Sequence, residues 1–250
     1  LFADIEDKSR WSFDFGSLML LATAIAALGL IADSGAVVIG AMLVAPLMTP
    51  LLGGGLSVVQ GNWPLWRRCQ KAVGLGFISA LAVGYLLGTL ARLCGYGLTD
   101  ELIARGAPSV LDLGIAFISG VAASYCLARP KLSGALAGVA IAAALVPPIA
   151  TTGICLAFGK YQVAQGAAVL FGTNVVAIVL GSAMNFFMAG IRGKDGQSTA
   201  WAKRTMIVFT LVMFGLMVPL SSVIVKQLAG GDDITEVFEN VAAVDGLVVS

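Results

Sequence analysis

Chemistry in this chain would have to come from a few polar groups set among apolar residues, and two segments concentrate them. AVVIGAMLVAPLMT (36–49), followed directly by Pro50, and GVAIAAALVPPIAT (138–151), followed by Thr152, each carry two prolines and a threonine inside an alanine-rich run. A proline within a helix lacks a donor and crowds the carbonyl four residues back, at a cost of about 3 kcal/mol in a soluble helix. Pro46 and Pro50 would free the carbonyls of Met42 and Pro46, and Pro147 and Pro148 those of Ala143 and Ala144. Gly53-Gly54-Gly55 would loosen the first segment further. Unpaired backbone groups deep in lipid are tolerated only against protein or a water-filled cavity. The expectation is a polar site near mid-membrane, built from freed carbonyls, half-helix N-termini and the hydroxyls of Thr49, Thr151 and Thr152. The competing expectation is a pair of plain kinks that neighbouring helices re-satisfy.

Other polar residues in apolar runs are few. Thr173 and Asn174 lie about three turns from Asn185, close to one helical face. Their amides would either bond between helices or line a pathway. Asp33, with Ser34 beside it, separates the first two apolar runs. It has two readings: a helix cap, or an intramembrane carboxylate that couples transport to an ion or proton. Asp112 reads as a first-turn acid at the interface. No lysine or arginine lies within the core of an apolar run, which leans towards a cation or a neutral solute, although helix N-termini bind anions without basic side chains. The chain has no histidine, which excludes histidine zinc sites, Ser-His-Asp triads and histidine proton relays. Cys69, Cys94, Cys126 and Cys155 form no CxxC pair and read as structural thiols. No cofactor or metal is implied.

The elements that must position these groups follow from composition. Of 250 residues, 58% are hydrophobic and 12% charged, with a mean hydropathy of +0.95, far from globular averages. Such a chain cannot cover itself with a polar surface, so it is read as an all-α polytopic membrane protein. Fifteen basic against fourteen acidic residues give no general case for nucleic-acid binding. A helix needs about 20 apolar residues to cross lipid, and seven segments qualify: 17–33, 35–60, 70–93, 109–128, 133–159, 163–190 and 205–225. The domains are then a leader (1–16), a first three-helix unit (17–93), a loop (94–108), a second unit (109–190), a loop (191–204), a seventh helix (205–226) and an acidic tail (227–250). Segments 35–60 and 133–159 could instead be re-entrant hairpins.

With seven spans, eleven lysines and arginines fall on the side of the leader and four on the other. The positive-inside rule then puts the leader in the cytoplasm and the tail outside. The chain opens on Leu1 rather than Met, as a piece of a longer protein would, and the acidic leader without a small-residue cleavage site reads against a signal peptide. Small residues every fourth position (Ala72, Gly76, Ala80, Gly84, Gly88; Gly134, Gly138, Ala142) suit close helix packing in lipid. That packing lies within one chain or between the subunits of a homo-oligomer.

At an offset of 102, segments 36–49 and 138–151 share seven of fourteen residues, including Pro46/Pro148 and Thr49/Thr151. Each lies in the middle span of a three-span unit. An odd number of spans per unit makes the second copy enter from the opposite face, giving two inverted repeats with proline-broken middle helices plus one extra helix.

The stretches DSGAVVIGAMLVAPLMTPLLGGGLSV (33–58), SGALAGVAIAAALVPPIATTGICLAFG (133–159) and LFGTNVVAIVLG (170–181) resemble the bacterial and archaeal family known as domain of unknown function 389. The matching signatures are IGAML-APLM-P at Ile39–Leu43, Ala45–Met48 and Pro50, LVPP at Leu145–Pro148, and Thr173-Asn174. The resemblance covers most of 17–190. It implies a polytopic inner-membrane protein, often with a soluble domain ahead of the spans, and no established substrate.

The expected function is therefore a transporter or channel for a small solute or ion. The alternative is a membrane scaffold or sensor that anchors a soluble domain, with its tail (DDITEVFENVAAV) binding an external partner. An intramembrane enzyme is the weakest reading, since no acid, base and nucleophile set is evident.

Overall fold

A computed structural model describes residues 10–129 and 145–191, together with isolated helical positions between 204 and 215. All regular structure among these residues is helical: α1 (Phe13–Ile31), α2 (Gly35–Met42), α3 (Met48–Gln60), α4 (Trp63–Leu93), α5 (Asp100–Ala104), α6 (Val110–Ala128), α7 (Val146–Ala157) and α8 (Tyr161–Met188). Four of them, α1, α4, α6 and α8, are long and apolar enough to cross a membrane. The first part of segment 133–159, with Ala143 and Ala144, lies outside the described residues, as do most of the seventh span and all of the acidic tail.

Local chemistry explains the boundaries. Ser12 Oγ accepts the Phe15 N–H at the start of α1. Ser109 and Asp112 form a reciprocal capping box at the start of α6, which gives Asp112 the first-turn place its sequence position suggested. Asn62 Oδ1 accepts the Leu65 N–H at the start of α4, whose second residue, Pro64, is preset for a first turn. Helix α3 ends on Gly61 (φ 66°) and α7 is followed by Gly159 (φ 71°), both left-handed, the backbone region that glycine enters without strain.

The long helices surround the short ones. α3 is buried continuously from Pro50 to Val59. α7 is buried on every side apart from a partial opening at Leu156. α4 packs on α1, α3 and α7, while α8 packs on α3, α6 and α7. Outward faces of the long helices carry large exposed apolar side chains, Leu86 and Leu90 on α4 and Leu111, Ile115 and Ile118 on α6 among them. Such a surface suits lipid rather than water.

Helix ends collect at two opposite faces. On one, Thr99 Oγ1 donates to Leu30 O (2.7 Å), Asp33 accepts from Glu101 N (3.0 Å) and Arg92 donates to Ala157 O (3.0 Å). On the other, Leu56, Val58 and Val59 of α3 cluster with Leu65 and Cys69 of α4 and with Ala183 and Phe186 of α8. Helix ends are thereby assigned to the two faces: α1, α4 and α7 run towards the first, and α3, α6 and α8 towards the second.

Candidate functional site

Segment 35–60 is a broken helix. α2 closes with tightened bonds from Leu43 N to Gly40 O and from Val44 N to Ala41 O, and α3 restarts at Met48. Pro46 lies in the break and Met42 is the last residue of α2. Pro50 is the third residue of α3, and Pro147 and Pro148 are the second and third residues of α7. Pro50, Pro147 and Pro148 thus occupy first turns, where a helix has no acceptor for its N–H groups anyway, while Pro46 sits in the break itself. Starting a helix inside an apolar core in this way leaves fewer donors unpaired. Neither start has a side-chain cap, the N-cap residues being Leu47 and Leu145.

The depth of both starts can be read along α4. Leu47 packs on Gly76. Ala150 packs on Gly84 and Ile154 on Gly88, so α7 runs parallel to α4 and Val146 falls level with Ala80. The two starts are thus about one helical turn, roughly 6 Å, apart in height, near the middle of the 31-residue α4. From there they diverge. α3 runs parallel to α8, with Gly54 on Val179 and Gly55 on Ser182, and ends at one face; α7 runs with α4 and ends at the other. Both N-termini, the positive ends of the helix dipoles, point into the middle of the bundle.

The hydroxyls behave differently from one another. Thr152 Oγ1 donates back to Pro148 O (2.7 Å), as Thr23, Ser57, Thr173 and Ser182 do to carbonyls three or four residues earlier. Thr151 is fully buried, and among the described residues its hydroxyl is the one buried hydroxyl without a hydrogen-bond partner. Thr49 is half-buried in the first turn of α3. Asn174 is 3% exposed in α8. Asn185 lies three turns on, and its buried Nδ2 has no partner.

Asp33 and Ser34 stand apart from the two starts, at the face where α1 ends. Asp33 is exposed and left-handed (φ 53°). Its carboxylate does not cap α2; it accepts the Glu101 N–H in the first turn of α5. Ser34 holds the N-cap position of α2 without a side-chain cap bond. The Glu101 carboxylate in turn lies over Gly35 at the start of α2 and pairs with Arg105 at 3.0 Å. No sequence signal pointed to this clasp, because its partners are 68 residues apart. None of the four cysteines is in a disulfide, and no group of three or more potential metal ligands occurs among the described residues.

The break between α2 and α3 and the α7 start both fall within the match to a family model. The family described as domain of unknown function (DUF389) matches residues 42–180, more than half of the chain. The chain belongs to that family. One relative of this DUF389 protein is an uncharacterized protein of Methanocaldococcus jannaschii, 27% identical over 174 residues that cover 70% of the present chain and 53% of the relative. The chain thus spans about half the length of the curated relative it matches. No solved structure shows a significant match to it.

Proposed function

We propose that this DUF389 protein is a membrane transporter or channel for a small solute or ion, with its site where α3 and α7 begin. The observation that carries this reading is the pair of short, buried helices that start at mid-depth and run to opposite faces. Discontinuous helices of that kind, with termini meeting near the midplane, form the substrate sites of many secondary transporters.

Two inverted three-helix units account for the pair, and several features support them at an offset of 98 rather than 102. Pro50 and Pro148 are both third residues of their helices. The turns after α3 and α7 repeat bond for bond: Asn62 N to Ser57 O and Gly61 N to Val58 O match Lys160 N to Cys155 O and Gly159 N to Leu156 O. The crossing of Gly55 on Ser182 matches that of Gly153 on Gly84. On the same offset Asn174 corresponds to Gly76, which puts an amide beside the α7 start. The offset of 102 aligned similar letters; 98 aligns equivalent geometry.

Within this reading the chain lies in the inner membrane with seven spans, its leader in the cytoplasm and its acidic tail outside. The exposed basic residues Arg10, Arg67, Arg68, Lys71 and Arg129 gather at the face of the α1 N-terminus, which supports that orientation. The small solute or ion is the partner, with a homo-oligomer through small-residue faces, and no enzymatic role is assigned. A scaffold or sensor is the second reading. It is favoured by the apolar surroundings of the α7 start, where Leu145, Val146 and Ile149 are fully buried.

Cysteine substitution separates the two. Thr49→Cys and Thr151→Cys in the reconstituted full-length protein should react with a membrane-impermeant thiol reagent, each from at least one side. Complete protection of both under all conditions, with no solute flux into proteoliposomes, would leave the scaffold.

A further inference from the structure

We infer that the outward face of the first turns of α4, with Trp63, Arg67 and Lys71, binds the headgroups of anionic phospholipids; this goes beyond the transport reading and does not depend on it. α4 has 31 residues, about 46 Å of helix, against a hydrocarbon layer of about 30 Å. Ile78, Leu86, Leu90 and Leu93 on its outer side are exposed and apolar. The stretch from Lys71 to Leu93 alone covers about 33 Å, so it fills the lipid, and the residues from Trp63 to Lys71 project into the headgroup layer. Trp63, Arg67 and Lys71 are all exposed and follow one another at intervals of four, which stacks them on one helix face with neighbours about 6 Å apart. One phosphate group can therefore meet both cations. Among the described residues neither cation is held in an ion pair. The Trp63 indole suits the level at which acyl chains give way to headgroups.

The start of α8 indicates that the helix itself does not need these charges. Both helices follow a turn through a left-handed glycine, Gly61 and Gly159, and at the proposed offset of 98 Trp63, Arg67 and Lys71 correspond to Tyr161, Gln165 and Val169. All six are exposed. The aromatic residue recurs, but the two cations do not, and Lys160 is the one basic residue at the α8 start. Charge also accumulates around the α4 copy. Phe15 of α1 packs on Gly76 of α4, so Arg10, exposed just ahead of the Ser12 cap, falls at about the depth of Lys71. Arg68 adds a further exposed cation, and the exposed Asp14 offsets one of them. A basic face at this level attracts acidic headgroups. Basic residues also fix orientation during insertion, but a headgroup site differs in one respect: it still selects lipids in purified protein, where no insertion takes place.

The test uses the full-length protein in detergent, with phosphatidylglycerol and phosphatidylcholine as probes and bound lipid counted by native mass spectrometry. Phosphatidylglycerol should bind the more tightly. Arg67→Gln combined with Lys71→Gln should weaken it about fivefold per charge and about thirtyfold together. Phosphatidylcholine binding and the Tm without added lipid should stay as in the parent. Lys160→Gln, at the start of α8, should leave the preference unchanged. In the parent chain the preference should also shrink as salt rises from about 0.1 to about 1 M, a readout that needs no variant. Equal binding of the two lipids by the parent overturns the inference, as does a preference that survives the double substitution or high salt. A loss in Lys160→Gln as large as in the double variant overturns it too, because the preference would then follow overall charge and not this face. Inorganic phosphate that displaces phosphatidylglycerol at equal concentration would assign the cations to a soluble anion instead, and so also overturns it.

Discussion

Gly153 of α7 lies so close to Gly84 of α4 that a Cβ added at Gly153 would stand 2.6 Å from Leu81 O and 2.7 Å from Tyr85 N. Backbone is on both sides of this contact, so no flexible side chain can move aside. Without hydrophobic drive between helices in lipid, such close approaches are a main source of association.

Gly153→Ala is therefore expected to lower stability in detergent. Overpacking costs about 1–3 kcal/mol, against up to about 1 kcal/mol gained from helix propensity. Gly172→Ala in α8 provides the control, since nothing lies within 4 Å of its added Cβ. It should leave Tm unchanged or raise it. Equal losses from the two substitutions would show that general helix flexibility matters here, and not this crossing.

The sequence carried the spans because their length and hydropathy are local properties. α1, α4, α6 and α8 fall within a few residues of the segments 17–33, 70–93, 109–128 and 163–190, apart from α4, which begins earlier. Trp63–Gln70 is polar yet helical, held by the Asn62 cap and Pro64. The break in segment 35–60 was legible from its prolines, but their role was not. Whether a proline bends a helix or begins one depends on where the preceding helix stops, and α2 stops at Met42 through bonds that no residue type announces. The offset of 102 rests on identities among alanine, valine and leucine, which match letters without regard to turns, whereas Gly61 and Gly159, which suggest the proposed offset of 98, carry weight only once their φ is known. The Asp33–Glu101 bond and the unpartnered Thr151 hydroxyl are tertiary facts, invisible to periodicity.

The capping box of α6 gives a second expectation. Ser109 Oγ accepts the Asp112 N–H at 3.2 Å while Asp112 Oδ2 accepts the Ser109 N–H at 2.8 Å. Ser109→Ala should cost about 1 kcal/mol, read as a lower Tm in detergent. Ser109→Asn, another good cap, should restore most of it. An alanine variant that melts with the parent would mean that α6 is held by its packing on α8 alone.

Asp33 separates its two readings by substitution. It combines a left-handed backbone with an acceptor for Glu101 N. Asparagine tolerates that backbone and keeps an acceptor oxygen, so Asp33→Asn should behave as the parent in stability and in protease resistance of 95–109. Asp33→Ala loses the acceptor and pays about 1 kcal/mol for the left-handed conformation, and cleavage within 95–109 should quicken. Should Asp33→Asn instead abolish a pH or cation dependence of flux while cleavage stays at the parental rate, the carboxylate serves coupling in addition to the clasp.

Orientation can be tested with the natural thiols. Cys94 is exposed just past the end of α4, on the face that holds Asp33, whereas Cys69 is buried near the other face. In the orientation proposed above, the basic residues at the face of Cys69 lie towards the cytoplasm and Cys94 lies outside. An impermeant maleimide applied to intact cells should therefore modify Cys94, and Cys94→Ser should remove most of the label. Cys69 should react only after denaturation, since burial shields it irrespective of side. Labelling of Cys94 that requires permeabilised cells would turn the whole bundle over, because the assignment of helix ends to the two faces ties Asp33, Thr99 and Ala157 to the same face as Cys94.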